Sequence, residues 1–431
     1  MNASPRIAIT GLGAVCGAGR TVDSIWDAIV NGRSAVAPIS QWDASRWPVR
    51  VSAEVRNVDN RTLVEDRKLH KIISRTDLFG LYAANGAIQQ SGLLAHREKL
   101  DAAAATRFND RSGILVGSGG GNYSSNYDFF PLLTSSGGDL QKFGRELSET
   151  VNPMWLLKNL PNNVLCHVGI RHNFKGTNAC ITNQCVSGLM AVAEAAAAIG
   201  AGEADRAVAV GHDMPIDAET MLHYHRVGLL SPDVLRPFDQ RRNGTVFGEG
   251  AAATMLEKAE DAHSRGAPVL GEFLGSGCVT EGTGVLDIRP DGDGLSRAIQ
   301  IALDDAGIAA EAVGMIVAHG NGTRAADASE ALALQRVFGK SLPPVTAFKW
   351  AFGHLIAASG IMDLTLALKA LEQQVVPGIP TLQSLDPEFP WLTALPHAQP
   401  ARSEVALLCC RGFGGMNVAV VVRAGTSPRS S

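Results

Sequence analysis

The sequence lacks the short motifs that mark metal, redox and nucleotide sites. Its seven cysteines include no Cys-x-x-Cys pair, which argues against a zinc ribbon and a redox dithiol. No Gly-x-x-x-x-Gly-Lys-Ser/Thr segment occurs, and the glycine loops that begin at Gly11 and Gly117 lack the third glycine of a dinucleotide fingerprint. Because turns need glycine for backbone reasons alone, a nucleotide site is not predicted. The odd number and irregular spacing of the cysteines fit a reduced, cytoplasmic protein.

Long apolar runs and a strong net charge are also missing. The formal net charge is −4, which argues against a nucleic-acid-binding protein. The most apolar helical stretch, 190–201, is interrupted by Glu194 and is too short to span a bilayer. The chain begins directly with a strand and shows no apolar signal core. We therefore expect a cytoplasmic protein that binds neither nucleic acid nor membrane.

The sequence does contain a large apolar fraction, arranged as alternating strands and helices. Hydrophobic residues make up 45% and charged residues 19%, which predicts a substantial core. The alternation favours an α/β protein with mostly parallel sheets covered by helices. A strand followed by a glycine loop occurs in each half, which suggests an internal duplication with halves at 1–260 and 261–431. Segment 122–160 is interpreted as an insertion with a short helix near Trp155, and segment 212–247 as a long loop.

Cys185 is the first candidate for a reactive residue. It lies in Asn-Gln-Cys-Val-Ser-Gly, directly before an apolar, alanine-rich run, so we expect a thiol at the N-terminus of a helix. Unpaired backbone N–H groups and the helix dipole would there favour the thiolate. Two alternatives stay open from local chemistry alone: Cys185 could be a small core residue, or Cys180 in the preceding strand could be the nucleophile.

Two histidines stand apart from the other nine because glycines flank them. His319 lies in Ala-His-Gly-Asn-Gly-Thr and His354 in Phe-Gly-His-Leu, each where a buried strand or turn ends. One activated thiol and two loop histidines are typical of covalent acyl-transfer catalysis. A basic segment, 65–75, is either a solvated helix face or a docking surface for an acidic partner.

Together these segments resemble the β-ketoacyl-acyl-carrier-protein synthases of thiolase fold, in particular the type II condensing enzymes, over residues 5–424. The matching motifs occur in the family's order and are Gln-Cys-Val-Ser-Gly (184–188), Arg-Pro-Phe-Asp (236–239) with Gly-Glu-Gly (248–250), Ala-His-Gly (318–320), Lys-x-x-x-Gly-His (349–354) and Gly-Phe-Gly-Gly-Met-Asn (412–417). The resemblance implies two similar βαβ halves in a five-layered α-β-α-β-α body. The first half would carry the nucleophilic cysteine, and the second both histidines and a gating loop.

The resemblance also implies a chemistry for these positions. Cys185 would take an acyl chain from a carrier thioester, and a malonyl thioester would then lose CO₂ and attack it. His319 and His354 would donate to the enolate oxygen. Lys349 would hold this site electrostatically, together with Asp363, where the family usually has Glu.

Further site residues follow from the same resemblance. The backbone N–H groups of Cys185 and Phe413 would form the oxyanion hole, and Phe413 with Gly414 would gate malonyl access. The residues implied in substrate binding are Thr323 and Asn321 for the pantetheine arm, and Tyr224 and Trp155 for the acyl tunnel, with Trp155 reaching across a dimer.

The implied partner is an acyl carrier protein that docks at Lys68, Lys71 and Arg75. It would also bring the phosphopantetheine, so the chain itself needs no cofactor and no metal. A homodimer is expected, with a heterodimer containing another ketosynthase-like subunit as the alternative.

Several positions depart from the family pattern around the substrate. The departures are Asn321, Phe348, Arg411 and Met416. They favour a pathway-dedicated enzyme (polyketide, aryl polyene or signalling lipid) at least as much as a housekeeping fatty-acid enzyme. Two rival functions are a non-catalytic partner subunit resembling a chain-length factor, and an acyltransferase that acts without decarboxylation.

Overall fold

One ten-stranded mixed sheet organises the chain in the computed structural model, which describes residues 5–120 and 129–425. The strands are β1 (Ile7–Cys16), β2 (Ala37–Pro38), β3 (Val51–Ser52), β4 (Ser112–Ser118), β5 (Asn178–Ile181), β6 (Arg206–Asp213), β7 (Gly250–Lys258), β8 (Gly271–Thr280), β9 (Met315–Val317), β10 (Val345–Thr346), β11 (Val375–Val376), β12 (Gln399–Pro400), β13 (Val405–Gly412) and β14 (Met416–Ala424). The helices are α1 (Val22–Val30), α2 (Arg75–Gln90), α3 (Leu93–Arg97), α4 (Ala102–Asp110), α5 (Phe130–Ser135), α6 (Leu140–Thr150), α7 (Trp155–Lys158), α8 (Asn163–His172), α9 (Ser187–Gly200), α10 (Ala218–Arg226), α11 (Ala259–Ser264), α12 (Asp293–Ala306), α13 (Arg324–Phe338), α14 (Lys349–Phe352) and α15 (Ser359–Gln373).

The strand order reads the same from both edges of the large sheet. The order is β10-β9-β13-β14-β8-β1-β7-β6-β4-β5. From either edge, two parallel pairings are followed by two antiparallel ones, and the halves meet where Ile7–Ile9 of β1 pairs with 271–273 of β8. The predicted duplication is therefore confirmed. The prediction of mostly parallel sheets is wrong, because β1, β7, β8 and β14 pair with their neighbours in antiparallel fashion.

Helices cover the two half-sheets on both sides. Helix α2 packs on β1 and β7, and helix α12 packs on β8 and β14. Between the half-sheets, α9 contacts β4 and β6, α15 contacts β13, and the two helices contact each other. This arrangement gives the five layers expected from the sequence, with α9 and α15 as the buried central layer.

Glycines in equivalent strands allow the outer helices to approach closely. A Cβ atom at Gly13 in β1 would lie 1.9 Å from the carbonyl oxygen of Ala83 in α2. A Cβ atom at Gly277 in β8 would lie 2.1 Å from the carbonyl oxygen of Ala298 in α12. Close helix–sheet packing therefore explains the first glycine-rich segment, which lies within β1, and the same close approach recurs in the second half.

Two segments contain more helix than the sequence indicated. Helix α10 lies inside the predicted loop 212–247, and the Asp217 carboxylate caps it by accepting the backbone N–H of Thr220 at 3.0 Å. Helix α6 lies inside segment 122–160, of which residues 122–128 fall outside the described residues. Both helices carry mostly polar residues, and of the two only α10 has a buried residue, Met221. The helical spacing of Leu140, Phe143 and Leu147 in α6 is a signal that the sequence interpretation missed. Within the described ranges, no helix combines the length and apolar character needed to cross a bilayer.

Candidate active site

Cys185, His319 and His354 line one cavity with an empty volume of about 670 Å³. They come from three distant parts of the chain and from both half-sheets. Other described residues in the wall include the aromatic Tyr224, Phe247 and Phe413 and the polar Thr245, Glu281, Asp287, Asn321, Thr323, Arg411 and Asn417. The cavity therefore joins a thiol, two imidazoles, an aromatic wall and a polar wall.

Cys185 is held in a short turn at the start of the central helix α9. The turn spans Gln184–Val186, and Gln184 adopts a left-handed conformation with φ 51°. The equivalent turn in the second half, Ile356–Ala358, precedes α15 and starts with Ile356 at φ 45°. Left-handed backbone at a β-branched residue is strained, and such strain persists only where the surroundings enforce it. The two turns lie against each other, since a Cβ atom at Gly188 would lie 2.3 Å from the carbonyl oxygen of Ala357.

The protonation state of Cys185 differs from the expectation. Burial raises the pKa of the Cys185 thiol to about 12, and the Asp213 carboxylate adds to this rise while Lys349 opposes it. The expected thiolate at the helix N-terminus is therefore wrong for the resting protein, because desolvation of the anion outweighs the backbone contribution. The resting group is a thiol at neutral pH.

The alternative nucleophile, Cys180, lies elsewhere. It is half-buried in β5, and its thiol donates to the carbonyl oxygen of Pro161 at 3.3 Å. It does not line the cavity that contains both histidines. The geometry therefore favours Cys185.

The backbone around His319 is fixed by a buried carboxylate. Glu330 in α13 accepts the N–H groups of His319 at 2.8 Å and Gly320 at 2.9 Å. The imidazole Nδ1 accepts the backbone N–H of Arg411 at 3.4 Å. Because a backbone N–H can only donate, Nδ1 is the acceptor and the neutral ring carries its proton on Nε2.

His354 has the same tautomer through different partners. Its Nδ1 lies 3.3 Å from the backbone N–H of Ile356 and 2.8 Å from the hydroxyl of Ser359. The Ser359 oxygen accepts the backbone N–H of Leu355 at 2.9 Å. Because the N–H of Ile356 can only donate, Nδ1 is an acceptor, and the Ser359 hydroxyl donates to it. The Nε2 atom of His354 is therefore also an N–H donor.

Both imidazoles stay neutral. Burial lowers the pKa of His319 and of His354 well below the usual value, and the positive charge of Lys349 lowers both further. Their ring centroids lie 5.2 Å apart. Two neutral rings at this distance, each with a proton on Nε2, can donate to the same oxygen atom of a bound ligand.

Lys349 forms a buried ion pair with Asp363. The Nζ and Oδ2 atoms are 2.7 Å apart, and neither side chain is appreciably exposed. Burial alone would lower the pKa of Lys349, but the neighbouring Asp363 carboxylate more than offsets this and the net shift is upward. The charged ammonium therefore lowers the pKa of the Cys185 thiol and of both imidazoles.

The wall next to Cys185 is apolar and aromatic. The ring of Tyr224 packs edge-on against Phe247 with centroids 4.6 Å apart, and lies 5.4 Å from the Phe413 ring. Cys185 belongs to the same buried cluster as Phe247 and Met221. Such a wall suits the hydrocarbon part of an acyl group.

The segment that contains Phe413 is connected to a second segment of the cavity wall. Gly414 has φ 77° and donates its backbone N–H to the carbonyl oxygen of Val285 at 2.7 Å. Gly414 itself is exposed and does not line the cavity, whereas Phe413 does. The N–H of Gly414 is thus committed to Val285 and is not free for an oxyanion.

Asn321 and Thr323 lie together in the polar wall. Asn321 Oδ1 accepts the backbone N–H of Thr323 at 3.0 Å and its hydroxyl at 2.8 Å. The side-chain amide N–H groups of Asn321 have no acceptor among the described residues. They are available to a carbonyl oxygen of a ligand.

Two of the predicted residues lie away from their expected roles. Trp155 packs on Phe129 with centroids 6.2 Å apart and does not line the cavity of its own subunit. Arg75 is half-buried and donates from Nε and Nη2 to the Glu249 carboxylate at 3.0 and 2.9 Å. A buried carboxylate needs such a partner, so Arg75 is committed within the chain. Lys68 and Lys71 are exposed.

Three residues of the site were missed in the sequence. Glu330 orients the His319 loop, Ser359 contacts His354, and Asp213 raises the pKa of Cys185. Asp213 is itself buried, and burial raises the pKa of its carboxyl to about 6. The only signal for Glu330 was a carboxylate within an alanine-rich helix. Nothing local marked the other two.

Models of two protein domains match most of the chain. The β-ketoacyl synthase N-terminal domain matches residues 4–262, and the β-ketoacyl synthase C-terminal domain matches residues 270–383. Among curated relatives, 3-oxoacyl-[acyl-carrier-protein] synthase 2 of Coxiella burnetii is 31% identical, over 97% of this chain and 98% of that protein.

Two solved structures are similar over almost the whole chain. The ishigamide ketosynthase/chain length factor superposes with a TM-score of 0.85 at 26% identity, covering 98% of this chain and 100% of that one. A type II polyketide ketosynthase in complex with its acyl-carrier protein superposes with a TM-score of 0.83 at 25% identity, covering 98% and 100%.

Proposed function

The chain belongs to the β-ketoacyl synthase family and is a condensing acyltransferase, and we propose that it extends an acyl thioester with a malonyl unit through an acyl-Cys185 intermediate. The observation that carries this proposal is the convergence of a thiol and two neutral imidazoles in one cavity. The roles of His319 and His354 follow from their fixed Nε2 protons.

In the first half-reaction, Cys185 Sγ attacks the carbonyl carbon of the acyl thioester. A new C–S bond forms, the bond to the carrier sulfur breaks, and the Cys185 proton passes to the departing thiol. The backbone N–H groups of Cys185 and Phe413 are proposed to hold the oxyanion. Because the resting group is a thiol, deprotonation accompanies the attack instead of preceding it.

In the second half-reaction, the malonyl thioester loses CO₂. The electron pair of the broken C–C bond forms an enolate, whose oxygen accepts from the Nε2–H groups of His319 and His354. The enolate carbon then attacks the acyl carbon on Cys185, and the thiolate released takes up a proton. Neutral imidazoles suit this step because they donate hydrogen bonds to the enolate oxygen and carry no positive charge there that would bind a carboxylate. Lys349 contributes by keeping both rings neutral.

The acyl donor and the extender are proposed to arrive on an acyl carrier protein. One superposable ketosynthase is described in complex with its acyl-carrier protein, which supports this partner and the phosphopantetheine arm it carries. The exposed Lys68 and Lys71 offer a surface for an acidic protein. Asn321 and Thr323 would contact the arm.

The proposed assembly is a dimer. A second copy of this chain is the proposed partner. Strand β5 forms an edge of the large sheet, and an unpaired edge is a template for pairing with another chain. Leu140, Leu156 and Ile170 are each more than half exposed in the single chain. The ishigamide ketosynthase/chain length factor keeps a heterodimer as the alternative. We also propose that the two halves of the chain divide between residues 260 and 261 and that the enzyme serves a dedicated biosynthetic pathway.

Intact-protein mass after incubation with a panel of acyl-carrier proteins tests the central claim. We expect a covalent acyl adduct on the wild type that is absent from Cys185→Ala and present on Cys180→Ala. Release of CO₂ from malonyl carrier protein then separates a condensing enzyme from a simple acyltransferase. An adduct that survives Cys185→Ala, or no adduct with any donor, would remove Cys185 from its role and favour a non-catalytic partner subunit.

A further inference from the structure

Arg411 in β13 places an almost completely buried guanidinium in the cavity wall. One N–H on Nη1 donates to the carbonyl oxygen of Ala326 at 3.2 Å, and one on Nη2 donates to Glu281 Oε1 at 2.7 Å. A guanidinium has five N–H donors. Five donors minus these two leave three without an acceptor among the described residues.

At least one of the unused donors is accessible from the cavity. The Nε atoms of Arg206 and Arg242 are sealed from solvent, whereas the Nε atom of Arg411 is not. Since the Arg411 side chain is 6% exposed and lines the cavity, the open side of its Nε–H is the cavity itself. A charged donor thus faces the space in which a substrate would bind.

The carboxylate of Glu281 has more of its hydrogen-bonding capacity in use than the guanidinium of Arg411. Glu281 Oε1 accepts from Arg411 and, at 3.1 Å, from the side-chain amide of Asn417. Its Oε2 accepts the backbone N–H of Arg289 at 2.7 Å. Glu281 therefore fixes the position of Arg411 while leaving the cavity-facing donor free.

A second polar group in the cavity wall is also without a partner. Thr245 is 3% exposed, lines the cavity, and its Oγ1 atom has no hydrogen-bond partner among the described residues. Like the Nε atoms of Arg206 and Arg242, this oxygen is sealed from solvent. The Thr245 hydroxyl therefore offers a ligand in the cavity no hydrogen bond, and Arg411 is the group that does.

The position of Arg411 points to the extender. Its own backbone N–H binds Nδ1 of His319, so it adjoins the ring that receives the extender thioester in the proposed function. The group that distinguishes a malonyl thioester from a plain acyl thioester is a carboxylate. Guanidinium groups bind carboxylates with short, charge-assisted hydrogen bonds.

We propose that Arg411 recognises the carboxylate of the extender thioester and so selects malonyl over uncarboxylated acyl groups in the second half-reaction. This inference rests on the proposed function. Because the carboxylate leaves as CO₂, the contact belongs to the ground state and weakens as the C–C bond breaks. It therefore lowers KM for the extender more than it raises kcat.

The test uses amide analogues of malonyl- and acetyl-pantetheine, in which nitrogen replaces the thioester sulfur. They are inhibitors of condensation on the full-length protein that differ only in the carboxylate. The variants are Arg411→Lys, Thr245→Val and the double variant Arg411→Gln with Glu281→Gln, which avoids a buried unpaired carboxylate. We expect the preference for the malonyl analogue to fall roughly tenfold or more in the double variant and to fall less in Arg411→Lys, which keeps the charge. It should stay unchanged in Thr245→Val, because that hydroxyl is sealed from the cavity.

Thr245→Val is the control for a change in the cavity wall, because the lost hydroxyl makes no hydrogen bond within the described protein and the side chains have similar shapes. Unchanged discrimination in the double variant, or an equal loss of discrimination in Thr245→Val, would overturn the inference. An equal loss of affinity for both analogues would also overturn it, because the residues would then read the pantetheine arm. Acylation of Cys185 by a donor tests the proposed function separately: if the wild type forms no adduct, that function fails whatever the analogues do.

Discussion

Ser359 Oγ lies 2.8 Å from Nδ1 of His354, at the first residue of the buried helix α15. The same oxygen accepts the backbone N–H of Leu355, while Nδ1 also accepts the backbone N–H of Ile356 and so carries no proton. The Ser359 hydroxyl therefore donates to Nδ1, and the serine fixes the rotation of the ring in this tautomer. In this tautomer Nε2 of His354 is a donor, which is the form needed to hold an enolate oxygen.

Ser359→Ala tests this positioning role. We expect kcat for condensation to fall roughly fivefold, because a hydrogen bond of about 1 kcal/mol no longer orients His354. Acylation of Cys185, which does not need the His354 donor in the proposed mechanism, should fall much less. Pre-steady-state acylation and steady-state condensation measured on the same samples give the two numbers. An equal decrease in both would indicate general disruption of the site.

The pKa of Cys185 predicts how its alkylation depends on pH. Since burial raises that pKa to about 12, the thiolate fraction should increase roughly tenfold per pH unit from pH 7 to pH 10. The rate of iodoacetamide alkylation at Cys185, followed by peptide mass, should rise in parallel without a plateau. A plateau below pH 8 would instead show a thiol acidified by the helix N-terminus.

Asp213→Asn should change the rate of Cys185 alkylation in only part of the pH range. The wild-type carboxyl has a pKa of about 6, so it is neutral at pH 5 and charged at pH 7. Its negative charge raises the pKa of Cys185, and asparagine removes that charge while keeping one oxygen, which can accept the N–H of Met214 at the Oδ1 position. The weaker contact of Oδ2 with the N–H of Ala357, at 3.3 Å, is lost. We expect equal alkylation rates at pH 5 and a rate roughly threefold or more higher in the variant above pH 7. A constant ratio across the range would point to altered access.

Breaking the Lys349–Asp363 pair should cost stability and shift the pH profile. Lys349→Met leaves a buried carboxylate without a partner, at a cost of about 3–5 kcal/mol in the free energy of unfolding. The double variant Lys349→Met with Asp363→Leu should recover much of that loss in urea titrations. Since Lys349 lowers the pKa of both histidines, the acid limb of the condensation profile should move to higher pH in the double variant. An acid limb at the same pH in wild type and double variant would show that Lys349 does not control the protonation of the histidines.

The predicted docking residues differ in role: Lys68 and Lys71 are proposed to dock the carrier protein, whereas Arg75 is structural. Lys71→Glu, alone or with Lys68→Glu, should raise KM for carrier-bound substrates roughly tenfold while leaving KM for pantetheine thioesters unchanged. Arg75→Ala should instead lower the melting temperature, because it removes the partner of the buried Glu249 carboxylate. Equal effects of Lys71→Glu on both substrate types would exclude a docking role.

Much of the candidate site could be located from sequence because its reactive groups lie in short local motifs. The turn before α9 and the glycine-flanked loops of His319 and His354 carry their chemistry within a few residues. The partners of these groups could not be located in this way. Glu249 is 174 residues from Arg75, and Arg411 is 92 residues from the His319 ring it contacts.

The fold shows the same division. The alternation of strands and helices established an α/β protein with a repeated architecture. Strand β7, by contrast, is rich in alanine and has little strand propensity, yet it lies completely buried between β1 and β6. Pairing on both sides stabilises it more than its own residues predict. The antiparallel centre of the sheet was for this reason visible only in the tertiary structure.

Electrostatics was decided entirely by tertiary structure. The sequence by itself determined the candidate groups: one thiol before a helix, two imidazoles beside glycines and one lysine five residues before a histidine. Whether each carries a charge depends on the water it loses and on the charges that the fold brings near. Burial makes Cys185 a thiol and both histidines neutral, and the Lys349 ammonium keeps its charge because folding places Asp363 beside it.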